Sequence, residues 1–364
     1  MENKIITLNK TSLHNSHIKL KAKMVDFAGY LMPINYAQGI KSEYHSIREN
    51  VGLFDVSHMG IFKIHGKGAD KFLNRVLSNN ILKIQSNNAM YTVMCNQNGG
   101  IIDDLILYKM DDYFILIVNA SNKEKNLNWL NSQNDSNDVF IEDKSDSTSL
   151  VAIQGPESRN KLEEILKFNL GNMNFYQCEK INYENSSLFI ARTGYTGELG
   201  YEILGDCETI NKIWGKMISS GVSPCGLAVR DILRIEMGYC LYGHEIDESR
   251  NAIEAGLSWI LDKDSDFIGK EVIFNKANQQ QKIIFLKMLE RGIPRQGCEI
   301  LCEGEKVGNV TSGTFSYLLN AGLGIGYIDR DIKQYDNCSI LIRGKNYKVD
   351  LKKTSFLKNT SLRK

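Results

Sequence analysis

Asn96-Gln-Asn-Gly-Gly-Ile-Ile-Asp-Asp-Leu-Ile-Leu-Tyr108 runs, past the acid pair Asp111-Asp112, into Tyr113-Phe-Ile-Leu-Ile-Val-Asn119. Both segments carry apolar runs of strand length, and the glycines and aspartates mark turns, so they read as a β-hairpin. Side chains alternate along an extended chain, so Asp103 and Asp104 must point to opposite faces. Asp104 then shares a face with Ile106 and Tyr108, whereas Asp103 joins Leu105 and Leu107. If the turn is short, Asp104 also lies roughly across from Asn119. A carboxylate on the inward face of an apolar strand is costly unless it is paired or used, which makes Asp104 a candidate for chemistry. The plainer reading is two acids at a strand start, hydrogen-bonded to loop amides.

Outward from the hairpin, further strands are expected at 61–65, 139–141, 148–153 and 187–191. Helical periodicity covers 38–50, 69–76, 122–131, 158–168, 207–219 and 227–239. Helices and strands mix without steady alternation, which predicts the α+β class. After about residue 280 short strands separated by glycines predict a small all-β, barrel-like module, joined through residues 276–282. With 364 residues and 42% hydrophobic types, two or three domains are expected.

The 44 Lys and Arg nearly cancel the 43 Asp and Glu, which argues against a general nucleic-acid or anionic-membrane binder. No apolar run is long enough to span a bilayer as a helix. Residues 1–4 carry an acid and lead into no apolar stretch, so no targeting segment is expected and the chain reads as cytoplasmic. Its eight cysteines form no CxxC pair and are expected to be reduced thiols, with no metal site.

Three further segments invite function. Arg192-Thr-Gly-Tyr-Thr-Gly-Glu-Leu-Gly-Tyr-Glu202 describes a tight loop entering a strand; its glycine spacing does not fit a dinucleotide-binding turn. Tyr195 offers a stacking face, and Glu202 can accept from two adjacent N–H donors. In Cys225-Gly-Leu-Ala-Val-Arg-Asp-Ile-Leu-Arg-Ile-Glu236, Arg230 and Arg234 share one helical face, suited either to a carboxylate ligand or to solvated ion pairs. In Leu53-Phe-Asp-Val-Ser-His-Met-Gly60, His58 is expected to be a hydrogen-bonded structural histidine beside Met59.

Phe54-Asp-Val-Ser-His-Met59, Gly99-Gly-Ile-Ile-Asp-Asp-Leu-Ile106, Thr193-Gly-Tyr-Thr-Gly-Glu198 and Gly226-Leu-Ala-Val-Arg-Asp231 occur in the order seen in the T-protein of the glycine cleavage system. So do Met24-Val-Asp-Phe-Ala-Gly29, Ala152-Ile-Gln-Gly-Pro156, Leu241-Tyr-Gly243 and Thr311-Ser-Gly-Thr-Phe-Ser316. The chain thus resembles the folate-binding T-protein family over nearly its whole length. The resemblance implies a three-domain cloverleaf with a central folate channel: two mixed α/β domains and a C-terminal β-barrel-like domain at 280–361. The first two interleave, at approximately 1–55 with 145–235 and 56–144 with 236–275. It implies aminomethyl transfer from the lipoyl arm of H-protein to tetrahydrofolate as co-substrate. The glycine decarboxylase and dihydrolipoyl dehydrogenase are indirect partners. By position, the essential aspartate falls on Asp104, the pteridine-binding glutamate on Glu202, and folate-contacting residues on Tyr195 and Arg230. Met59, Tyr91, Tyr108, Val118 and Asn119 match channel-lining positions. A folate-dependent demethylase, or a non-enzymatic folate-binding protein of iron–sulfur maintenance, is the alternative on the same scaffold.

Overall fold

The computed structural model describes residues 8–363, so the start at residues 1–4 lies outside it. The hairpin forms the centre of a five-stranded antiparallel sheet. Its order is Asn88–Cys95, Ile101–Lys109, Tyr113–Val118, Gly60–His65 and Phe140–Asp143. The turn into it requires glycine: a side chain on Gly100 would collide with the Glu248 carbonyl oxygen at 1.7 Å. Leu105 pairs with Val118 and Ile106 with Ile117. Paired residues share a face, so alternation splits the sheet cleanly. Leu105, Leu107, Leu116 and Val118 pack with Phe72, Leu73 and Val76 of the helix Ala69–Val76. Ile61, Tyr108, Ile115 and Ile117 look the other way.

A six-stranded sheet has the order Cys178–Tyr183, Ser186–Ala191, Gly200–Asp206, Thr148–Gln154, Gly52–Asp55 and Ser223–Pro224. The chain leaves it after Asp55 and returns at Thr148, and these two strands pair directly. The five-stranded sheet is therefore an insertion between neighbours. Helices Ser158–Leu166 and Cys207–Ser219 cover one face through Leu162, Ile210, Ile213 and Trp214. The opposite face presents Phe54, Ala152, Phe189 and Leu204 to the Tyr108 face of the first sheet, with Val229 and Leu233 of helix Leu227–Met237 between them. Burying such side chains favours association by roughly 1.5–3 kcal/mol each. The junction it creates is where the polar groups below converge.

From Gln281 the chain closes a barrel in the order Gln281–Met288, Ala321–Asp329, Glu305–Ser316, Glu299–Cys302, Cys338–Ile342 and Lys345–Lys352. Ile235 of the helix packs on barrel residues Phe285, Leu323 and Ile325. The expected α+β class and the barrel are both present. Strand Asn88–Cys95 is not anticipated from the sequence, and Cys178–Tyr183 and Lys345–Lys352 carry no signal because their exposed positions are filled by Lys, Asn and Glu rather than by strand formers.

The expectation of eight reduced cysteines is corrected at one pair. Cys302 and Cys338 stand directly opposite on neighbouring barrel strands and are joined as a disulfide. They are separated by 36 residues, so only register brings them together. The other six are free. Among the described residues no helix is long and apolar enough to cross a membrane.

Candidate active site

Asp103 and Asp104 do point to opposite faces, and the structure treats them differently. Asp103 is fully buried, whereas Asp104 is half-buried. The Asp103 carboxylate accepts from four donors: the Asn119 backbone N–H at 3.1 Å, and the side-chain amides of Asn119, Asn122 and Asn126 at 2.8, 2.6 and 2.5 Å. Asp104 accepts from the Tyr91 hydroxyl at 2.9 Å and from the Asn119 side-chain amide at 2.8 Å. Burial, and for Asp103 the neighbouring charge of Asp104, raise both carboxyls above the ordinary range, Asp103 to about 7. Burial and the Asp104 charge likewise push the Tyr91 phenol up, so it stays a donor.

Glu202 lies on the junction face of its strand, paired with Ala152 and Ala191. Thr193 donates to its Oε2 at 2.5 Å and Tyr108 does so at 3.1 Å. Among the described residues no donor reaches Oε1, which stays open to a ligand. The loop before it is fixed from behind. Gln154 donates to the Thr193 carbonyl and accepts from Thr196, at 3.1 and 2.8 Å. Arg48, itself buried, donates to the Thr196 carbonyl and bridges Glu198 and Glu236 at 2.7 and 2.5 Å.

The two helix arginines divide. Arg234 is buried and consumed: it bonds Asp231, Glu245, the Tyr239 carbonyl and Ser312 of the barrel. Neither the ligand-clamp nor the solvated-face reading applies to it; it ties helix to barrel. Arg230 is different. Its guanidinium sits 4.7 Å over the Tyr195 ring, and its buried Nη1 has no hydrogen-bond partner. Burial lowers its proton affinity, with Glu202 and Tyr195 opposing. Tyr195 is therefore covered on one face by Arg230, while its hydroxyl bonds the Cys240 carbonyl.

Of the nine positions named from sequence, Asp104, Tyr91, Asn119, Tyr108 and Glu202 are joined by hydrogen bonds or by a shared strand face, and Tyr195 and Arg230 stack together. Met59 packs at the rim of the junction core. Val118 points to the other face, into the core beside Leu105, so its side chain does not join this group. The expected hydrogen bond of His58 is not formed at Nδ1, which is buried without a partner. The edges of Phe27 and Tyr30 enclose the ring, and burial depresses its pKa to about 4. Sequence reasoning missed Thr193, Asn122 and Asn126. The last two carried a usable signal: with Asn119 they are spaced three and four apart, one stripe at a helix start.

Comparison with known proteins points to one family. Residues 13–265 match the GCVT N-terminal domain, and residues 281–358 match the glycine cleavage T-protein C-terminal barrel domain. The chain is 39% identical to the aminomethyltransferase of Thermosipho melanesiensis over 96% of its own length and 97% of that protein's. It is 41% identical to that of Chloroherpeton thalassium, over 95% and 98%. The crystal structure of glycine cleavage system aminomethyltransferase T from Bartonella henselae superposes with a TM-score of 0.90 at 28% identity, covering 98% of this chain and 99% of that one. Both domain matches, the full-length relatives and the shared fold place this chain in the glycine cleavage T-protein family.

Proposed function

We propose that the chain is a tetrahydrofolate-dependent aminomethyltransferase. It takes the carbon carried on the dihydrolipoyl arm of H-protein and delivers it to tetrahydrofolate. The products are 5,10-methylenetetrahydrofolate, ammonia and dihydrolipoyl H-protein. The observation that carries the reading is one junction holding an open carboxylate oxygen on Glu202, a buried unpartnered Arg230 nitrogen and the half-buried Asp104.

These residues fit folate. The pteridine edge shows a 2-amino group and N3–H, a donor pair matched by Glu202. Arg230 and Tyr195 fit the acidic and aromatic parts of the molecule; Tyr91, Tyr108, Met59 and Asn119 match the positions that line the folate channel in the family. When bound, tetrahydrofolate supplies the nucleophilic nitrogens. The protein orients them: Tyr91 and Asn119 hold Asp104, and Asp104 holds a proton at the reacting end. Proximity supplies most of the acceleration because the carbon arrives activated. Acid–base support by Asp104 adds ~10²–10⁴-fold.

The two sheets and the barrel support division into the interleaved pair and the C-terminal domain expected above. The exposed Lys19, Lys21 and Lys23 suit an acidic carrier. Near-neutral charge and the absence of a membrane-crossing helix among the described residues fit a cytoplasmic location.

The test combines purified H-protein, glycine, the decarboxylase and tetrahydrofolate. Methylenetetrahydrofolate and ammonia should form only when this chain is added. Demethylation of a sulfonium donor without H-protein would overturn the reading in favour of a demethylase.

A further inference from the structure

Asp103 is the strongest buried ionisable group that the proposed reaction leaves unused. All four of its contacts are N–H donors. These donors favour the ionised form, against the burial and the Asp104 charge that raise its carboxyl. The side-chain nitrogen of Asn119 stands 2.8 Å from Oδ1 of Asp103 and 2.8 Å from Oδ1 of Asp104. The same nitrogen also lies 3.1 Å from the Asp104 carbonyl oxygen, so one amide bridges the two carboxylates. Two like charges so close, in a site shielded from water, do not both ionise near neutrality.

We propose that Asp103 is a positioning residue: a fixed negative charge that keeps a proton on Asp104, so that Asp104 meets its substrate as an acid. The proton comes from solvent and is given up as pH rises. Asp104 is the holder because only Tyr91 and Asn119 donate to it, against four N–H donors on Asp103. The other groups facing the pair are consistent. Around Asp104 stand Glu245, Tyr195 and Cys240, and the Glu245 charge further raises its proton affinity. Arg234 neutralises part of Glu245 through a 2.7 Å bond. Around Asp103 stand the three asparagines and Tyr242, whose hydroxyl is engaged by Lys125 at 2.6 Å.

The role in catalysis rests on the proposed aminomethyl transfer, but the proton's location does not, and two measurements separate them. Carbon-13 NMR of carboxyl-labelled aspartates in the full chain reads protonation without turnover. In Asp103→Asn the Asp104 carboxyl should ionise about one pH unit lower or more, a tenfold fall in proton affinity. The alkaline limb of the kcat/KM profile should move down with it, while folate affinity stays. A structural role for Asp103 would instead lower activity and folate affinity together with the limb unmoved. If Asp103→Asn does not fold, Asn122→Ala and Asn126→Ala each remove one donor from Asp103. Each should transfer the proton toward Asp103 and lower the pH at which Asp104 ionises. An unmoved Asp104 titration in folded variants overturns the proposal. Absence of any aminomethyl transfer by the parent chain would overturn the functional reading and leave the NMR result standing.

Discussion

Replacing Arg230 with methionine should weaken folate binding while leaving the free protein's stability nearly unchanged, and this pairing follows from the geometry. The guanidinium is buried with an unpartnered Nη1, and its one described contact is the Tyr195 ring at 4.7 Å. In the free protein the substitution removes a cation–π contact of about 0.5–2 kcal/mol. It also relieves an unsatisfied buried donor costing about 1–3 kcal/mol. The two offset, so urea unfolding should place the variant within about 1 kcal/mol of the parent. The flexible methionine keeps most of the apolar packing of the arginine stem. With folate present the balance differs. A lost hydrogen bond between a cation and a carboxylate is worth about 1.5–3 kcal/mol, so the dissociation constant should rise roughly 10- to 150-fold. Titration calorimetry with tetrahydrofolate reads this directly. An unchanged dissociation constant refutes the assignment of Arg230 to ligand. A stability loss above about 3 kcal/mol would show instead that Arg230 is a structural cation with a partner.

Three more outcomes are expected. Asp104→Asn should lower kcat for aminomethyl transfer ~10²–10⁴-fold with folate still bound, measured by single-turnover kinetics on H-protein. Arg48→Met strands Glu198 and Glu236 in a buried site, and should cost about 3–5 kcal/mol in denaturant unfolding. His58 supplies a pH dependence: its folded pKa, about 4, lies below the ordinary 6.5, so the unfolded chain takes the proton first. Its contribution is therefore complete above pH 6.5 and is lost as pH falls toward 4, about 3 kcal/mol in all. His58→Phe should flatten that part of the stability profile, and a parent profile already flat from pH 6.5 to 4 would contradict the buried, neutral ring.

Legibility from sequence followed the range of the interaction. The hairpin at 101–118, the helices Ala69–Val76 and Cys207–Ser219 and the barrel strands other than Glu299–Cys302 and Lys345–Lys352 lie where periodicity placed them, because each buries one face and the pattern of that face is local. The opposite orientation of Asp103 and Asp104 is equally local, a consequence of the pleat alone. Motif order named Asp104, Glu202, Tyr195 and Arg230 before any distance was known. Helical spacing alone could not tell Arg230 from Arg234, four residues apart on the same helix. That distinction depends on Glu245 and Ser312 arriving from a loop and from the barrel.

The sequence by itself determined the class of fold, the identity of the acid pair and the family, since these rest on spacing along one chain. The tertiary structure alone decided which groups are satisfied. It placed Val118 behind the sheet, left His58 Nδ1 and Arg230 Nη1 without partners, joined Cys302 to Cys338 and gathered three asparagines around Asp103. Hydrogen bonds and charges saturate with whatever the fold brings within about 3 Å, and for a buried group those neighbours come mostly from distant parts of the chain.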